Sequence, residues 1–259
     1  MTKKVIFPTR DDYNRFFDPR TYLDDNFKVV DDEDRFAVQF INSSLKPVEN
    51  RLFIHEFGGG PALYSVAALV PKALEIHFSD AVEANLREVE SWIKARPDAF
   101  NWENHIRLAL EVEGLPPDHD AIISREADMR RLITKTMLCD AQASNPIEPC
   151  HFSYDLVTAH HCTDVAATNV DEWFQVIKNV STLVRPGGYL LLSVTTGSTR
   201  YTVGDKVFSC VDLTPENIEQ GYRFSGYDPG SININTHRNE LKREYSGIIM
   251  AIARKPRTN

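Results

Sequence analysis

The feature that most limits the fold is an apolar run that stops abruptly at glycine. Residues 52–57 read Leu-Phe-Ile-His-Glu-Phe, and Gly58, Gly59, Gly60 and Pro61 follow at once. A buried strand entering a tight turn and then a helix gives this pattern. Pro61 suits a first helical turn, where its missing N–H costs no hydrogen bond. The alternation continues along the chain, with a helix over 62–69 and a second strand over 73–80. A helix over 82–95 carries Val82, Leu86, Val89, Trp92 and Ile93 at helical spacing. Further strands are predicted near Leu138, Cys139 and Asp140, over 154–159, and over 189–194 after Pro186-Gly187-Gly188, with a helix over 170–184 between the last two. The tail supplies a hairpin-like segment at 207–213, a helix opening at Thr214, Pro215 and Glu216, and a closing strand at 246–253. Strands separated by helices predict an α/β protein with a mainly parallel, doubly wound, Rossmann-like sheet.

At 259 residues the chain has room for one large domain with elaborations. Residues 51–259 are expected to form that domain, with a helical insertion over about 97–135 broken by Gly114, Pro116 and Pro117. The first 50 residues differ in character, with Tyr13, Phe16, Phe17, Tyr22, Phe27, Phe36 and Phe40 recurring among many aspartates. Such a segment is too charged for a core and too aromatic for a free tail. It is predicted to be a lid on the domain, with an amphipathic helix over 34–45.

The formal charge of −8 disfavours a nucleic-acid partner, which needs a Lys/Arg surface. No stretch approaches the roughly 20 apolar residues of a membrane span, and the N-terminus lacks the apolar run of a signal peptide. Cys139, Cys150, Cys162 and Cys210 form neither a C-x-x-C pair nor a metal-ligand spacing. The expectation is a cytoplasmic monomer with reduced thiols and no metal, acting on a small molecule.

Ligands of such sheets bind beyond the carboxyl ends of the strands. Gly58, Gly59 and Gly60 let the backbone approach a ligand closely, and Asp80 ends the second strand 22 residues after Gly58. A carboxylate there can accept both ribose hydroxyls of an adenosine. The third glycine of a dinucleotide fingerprint is replaced by Leu63, and there is no Walker A sequence, which leaves pyrophosphate cofactors poorly supported. Asp140 could accept an adenine amino group.

At this point three stretches resemble a known family, that of nicotinamide, phenylethanolamine and indolethylamine N-methyltransferases. Phe17-Asp-Pro-Arg-Thr-Tyr-Leu23 is similar to its N-terminal signature, and Glu56-Phe-Gly-Gly-Gly-Pro-Ala-Leu-Tyr64 to its glycine loop. Ser79-Asp80 through Asn85-Leu86, then Trp92, Pro97, Phe100 and Trp102, resembles the segment after the second strand, and the Arg185-Pro-Gly-Gly188 turn is also shared. The resemblance implies a seven-stranded class I methyltransferase fold with an N-terminal helical lid. It implies S-adenosylmethionine as cofactor, S-adenosylhomocysteine as product, and methyl transfer to a small amine or heteroaromatic nitrogen. Tyr22, Phe27, Gly58, Gly59, Gly60, Tyr64, Asp80, Asn85, Asp140, Ala141 and His160 would then hold the cofactor. Tyr13, Phe16, Tyr201 and His161 would face the acceptor, and His160 or His161 would serve as base if one is needed. Two departures are mild, Phe27 for a tyrosine and Glu56 for an aspartate. A third is larger: after the fifth strand the nicotinamide enzyme carries an acid, whereas Ser193 to Gly197 here holds none. An O-methyltransferase and a non-catalytic adenosine-binding relative are the alternatives.

Overall fold

The computed structural model describes residues 6–7, 10–239 and 244–257. In chain order the elements are β1 (Ile6–Phe7), α1 (Arg10–Phe16), α2 (Pro19–Asn26), α3 (Asp32–Leu45), β2 (Leu52–Phe57), α4 (Tyr64–Leu69), β3 (Ala73–Asp80) and α5 (Glu83–Ile93). Then follow α6 (Glu103–Glu113), α7 (His119–Leu132), β4 (Ile133–Leu138), β5 (Tyr154–His160), α8 (Val170–Ser181) and β6 (Val184–Thr196). The chain closes with β7 (Arg200–Val203), β8 (Lys206–Ser209), α9 (Pro215–Phe224), β9 (Asn233–Arg238) and β10 (Gly247–Arg254).

Seven strands form the main sheet in the order β4-β3-β2-β5-β6-β10-β9. The first five are parallel, and β10 runs antiparallel to both β6 and β9. Side chains alternate between the faces, as they must in a strand. Met250 and Ile252 join the core under α3, α4, α6 and α7, while Ile249, Ala251 and Ala253 join the core under α8 and α9. Burial of both faces explains why β2, β5 and the second half of β6 read as nearly continuous apolar runs, whereas the edge strand β4 does not.

β2 and β3 occupy the predicted residues. α9 opens as expected, Thr214 and Asn217 forming a reciprocal capping box. Other boundaries move for physical reasons. Pro61 lies in the turn, and the helix starts at Tyr64. The helix predicted over 170–184 stops at Ser181, because Val184 already pairs with Tyr154 in β6. Pro186-Gly187-Gly188 is therefore an irregularity inside one long strand. The next register pair is Leu156 with Tyr189, so β6 spends three more residues than β5 there. The hairpin predicted over 207–213 is the β7–β8 pair, displaced toward the N-terminus. With β1 it makes a second, three-stranded sheet that the sequence pattern did not suggest.

The first 50 residues divide in two. Helix α3 buries Ala37, Val38, Phe40, Ile41 and Leu45 in the main core. α1 and α2 instead lie over the carboxyl ends of the strands. α2 is started by Asp18, whose carboxylate accepts the Thr21 N–H, with Pro19 in its first turn. Among the described residues no helix is long and apolar enough to cross a membrane, and no cluster of metal-ligating side chains occurs.

Candidate active site

A cavity of about 450 Å³ opens at the carboxyl ends of β2, β3, β5 and β6 and extends under α1 and α2. It brings together every residue the sequence nominated except Phe16. Tyr13, Tyr22, Phe27, Gly58, Gly59, Gly60, Tyr64, Asp80, Asn85, Asp140, Ala141, His160, His161 and Tyr201 all line it. Phe16 is not among the lining residues, and its neighbour Phe17 is. One position along a helix turns a side chain by about 100°, enough to take Phe16 off the cavity.

At the β2–β3 end the backbone is tightly tied. Gly58 and Gly60 sit at φ +63° and +61°, a conformation that favours glycine. A Cβ on Gly58 would also collide with the Cys162 side chain at 2.6 Å. Asp80 Oδ2 accepts the Gly60 N–H at 2.8 Å, and Oδ1 accepts the Val82 N–H at 2.8 Å and the Asn85 amide at 2.9 Å. Burial pushes the Asp80 carboxyl above its usual range, against the pull of these hydrogen bonds. The amide so oriented leaves Asn85 Oδ1 buried with no partner among the described residues, a vacant acceptor for a hydroxyl. Beneath the loop, Glu56 accepts the Thr158 hydroxyl at 2.6 Å, and burial raises its carboxyl to about 7.

The β5–β6 end is built differently. His160, closing β5, pairs Nδ1 with the Ser193 hydroxyl at 3.2 Å, and its buried Nε2 has no partner among the described residues. Burial, with the nearby His161, lowers its pKa to about 3, so it is neutral. His161 follows at φ +50°, an uncommon conformation for a non-glycine residue, held by its N–H donating to Ser193 O at 2.9 Å. Three residues on stands Asp164, 1% exposed. Its Oδ2 accepts the Thr195 N–H at 3.1 Å and the Thr195 hydroxyl at 2.9 Å. Oδ1 is buried and has no partner among the described residues. Burial raises this carboxyl, and His161 and Thr195 oppose the rise.

Asp164 is the residue that sequence reasoning missed. Residues 193–197 carry no acid, and the strand end there is instead bonded through Thr195 to Asp164, from the loop after β5. A row of aromatic rings roofs the cavity. Tyr201 and Tyr13 share a hydroxyl hydrogen bond of 2.8 Å and both pack on Phe208. Phe17, Tyr22 and Phe27 continue the row, Phe27 stacking on Tyr64 at 5.4 Å. The lining includes the carboxylates of Asp31, Glu33, Asp34, Asp80, Asp140 and Asp164, and no Lys or Arg among the described residues. Such a site suits cationic ligands.

The NNMT/PNMT/TEMT family profile matches residues 4–256. The chain belongs to this family. It is 27% identical to rabbit (Oryctolagus cuniculus) indolethylamine N-methyltransferase over 96% of its own length and 97% of that protein. It is 26% identical to human nicotinamide N-methyltransferase, with 85% and 86% covered. The fold is shared with 1,6-didemethyltoxoflavin-N1-methyltransferase of Burkholderia thailandensis, solved with its substrate and S-adenosylhomocysteine. That likeness has a TM-score of 0.55 at 12% identity, covering 99% of this chain and 97% of that one. The Rossmann-like class I fold and the S-adenosylmethionine-dependent N-methyltransferase activity expected from the signature segments therefore both stand. The free Asn85 Oδ1 beside Asp80, the open glycine turn and the acidic lining fit a cationic adenosyl cofactor.

Proposed function

We propose that this N-methyltransferase acts on a small amine or azaheterocycle whose nitrogen faces Asp164. The observation that carries the proposal is the unpartnered Asp164 Oδ1, buried in the cavity wall. A buried carboxylate oxygen without a partner is costly, and an ammonium, or a ring nitrogen gaining charge as it is methylated, offsets that cost.

Asp80 and Asn85 would hold the ribose of S-adenosylmethionine, and Asp140 and Ala141 the adenine. Gly58, Gly59 and Gly60 would give backbone access, while Tyr22, Phe27, Tyr64 and His160 enclose the methionine end. Bound there, the cofactor supplies a methyl group on a sulfonium for displacement by a nitrogen lone pair. Tyr13, Tyr201 and His161 would border the acceptor, with Phe17 in the place expected for Phe16. The protein's contribution is then alignment of two reactants in a site closed to water by α1 and α2. Those helices are the part of the N-terminal segment suited to act as a lid. His160 is too weak a base at a pKa of about 3 and serves as a neutral wall. An acceptor that arrives protonated must lose its proton first, and His161 beside Asp164 is placed to receive it. The same proposal has the enzyme working as a cytoplasmic monomer without nucleic acid, which light scattering and cell fractionation test.

Titration with S-adenosylmethionine and S-adenosylhomocysteine, followed by a screen of amines, azaheterocycles and phenols with product mass spectrometry, tests the assignment. Methylation at nitrogen supports it. Methylation confined to hydroxyls would overturn the acceptor, and a folded protein binding neither cofactor form would overturn the cofactor site.

A further inference from the structure

The opposite end of the sheet holds a second cleft, of contrary charge. It has a volume of about 420 Å³ and lies where β2, β5 and β6 begin and β10 ends. Arg185, Arg254 and Arg257 line it, with Asp155, Glu49 and Tyr189. It shares no residue with the acidic cavity.

Arg185 is paired with Asp155. The other two arginines have no carboxylate within ion-pair range among the described residues. Arg254 donates Nε to Gly187 O at 3.0 Å and lies over the Tyr189 ring at 5.4 Å, which fixes its guanidinium while leaving the terminal nitrogens free. Arg257 leans across the same glycine. A Cβ placed on Gly187 would lie 3.7 Å from Arg257 Nε and 3.9 Å from Arg254 Nη2. Two guanidinium groups thus converge on one point. The backbone holds them there, through Gly187 N–H to Pro256 O at 3.0 Å and Lys255 N–H to Gly188 O at 2.8 Å. Like charges drawn together without a counter-charge repel, and planar guanidinium forks bind oxyanions bidentately.

We propose that this cleft is a binding site for a small multivalent oxyanion of the phosphate class, free or as the phosphate end of an organic molecule. The paired Arg185 forms the far wall, Arg254 and Arg257 supply the donors, and Asp155 and Glu49 confine the anion to their side of the cleft. The net charge of −8 makes this a local attraction, so large polyanions are disfavoured and compact ones favoured.

Inorganic pyrophosphate titrated into the full chain, with and without saturating S-adenosylhomocysteine, tests the proposal. Saturable binding with a dissociation constant of about 1 mM or tighter is expected, unchanged by S-adenosylhomocysteine. Arg257→Gln, at an exposed side chain with no hydrogen bond to the other described residues, should weaken it about tenfold. The Arg254→Gln/Arg257→Gln pair should abolish it, with melting temperature as the control for folding. Adenosine triphosphate and a sugar phosphate form the second arm: tighter binding of either than of pyrophosphate assigns the organic source. No saturation by about 10 mM, an unchanged Arg257→Gln variant, or displacement by S-adenosylhomocysteine would each overturn the site.

Discussion

The two ends of the main cavity are built on opposite plans. At the β2–β3 end both oxygens of Asp80 are engaged by Gly60, Val82 and Asn85, and the glycine turn is fixed before any ligand arrives. At the β5–β6 end a carboxylate oxygen and an imidazole nitrogen lie buried without partners among the described residues, next to a histidine at positive φ. The first end is a preorganised socket whose carboxylate is already engaged and which leaves one amide oxygen, Asn85 Oδ1, open. The second leaves a carboxylate oxygen and an imidazole nitrogen for a guest to complete. Affinity should therefore be concentrated at one end and discrimination between acceptors at the other.

The largest effect that sharpens this contrast is expected from Asp80→Ala. It removes the proposed ribose partner and unties the glycine turn, and should weaken S-adenosylhomocysteine at least about a hundredfold by calorimetry. Asp80→Asn should fall between it and the parent. Binding left intact in both variants would mean that the socket belongs to something else. Asp164→Asn should lower kcat/KM for a cationic acceptor about a hundredfold while cofactor affinity shifts less than about threefold. Equal losses in both would erase the division of labour. His161→Ala should cost about tenfold in rate for amines that arrive protonated and little for neutral azaheterocycles. An unchanged rate for both classes would take His161 out of proton transfer.

Smaller effects reach into stability. The folded protein keeps the Glu56 proton up to about pH 7, whereas the unfolded chain releases it near the usual 4.5. Between those values folding takes up a proton, so this group's stabilisation declines as pH rises and is gone above 7. The melting temperature of the parent relative to Glu56→Gln should fall by a few degrees from about pH 5 to about pH 8. A constant difference would show that Glu56 is ionised throughout. Tyr201→Phe, which cuts only the hydroxyl bond to Tyr13, should raise the acceptor KM about threefold with kcat little changed.

The socket was legible in the sequence because its parts are local. A strand, its glycine turn, the next strand and its terminal carboxylate succeed one another within 30 residues, and β2 and β3 form where the apolar runs predict. At the proposed acceptor end the family resemblance supplied Tyr13, Tyr201, His160 and His161, but nothing pointed to Asp164, because only the fold joins it to them. Asp164 stands in an irregular loop whose course is set by the positive φ of His161 and by a bond to Thr195, 31 residues on. Tyr13 and Tyr201 meet across 188 residues. Strand β9 escaped notice for another reason: at the sheet edge most of its side chains are exposed or half-buried, so no apolar alternation marks it. Pro186-Gly187-Gly188 reads as the start of a strand when it lies inside one, since only the pairing of Val184 with Tyr154 reveals the continuation.

The aromatic roof has a consequence for the order of events. One stretch of chain, from Tyr13 to Phe27, covers both ends of the cavity, clasped to the β7–β8 hairpin at one side and stacked on Tyr64 at the other. With α1 and α2 acting as the proposed lid, a displacement that frees the methylated acceptor would also loosen the cover over the spent cofactor. The two products would then share one door, and their release is expected to show a common rate rather than two independent ones.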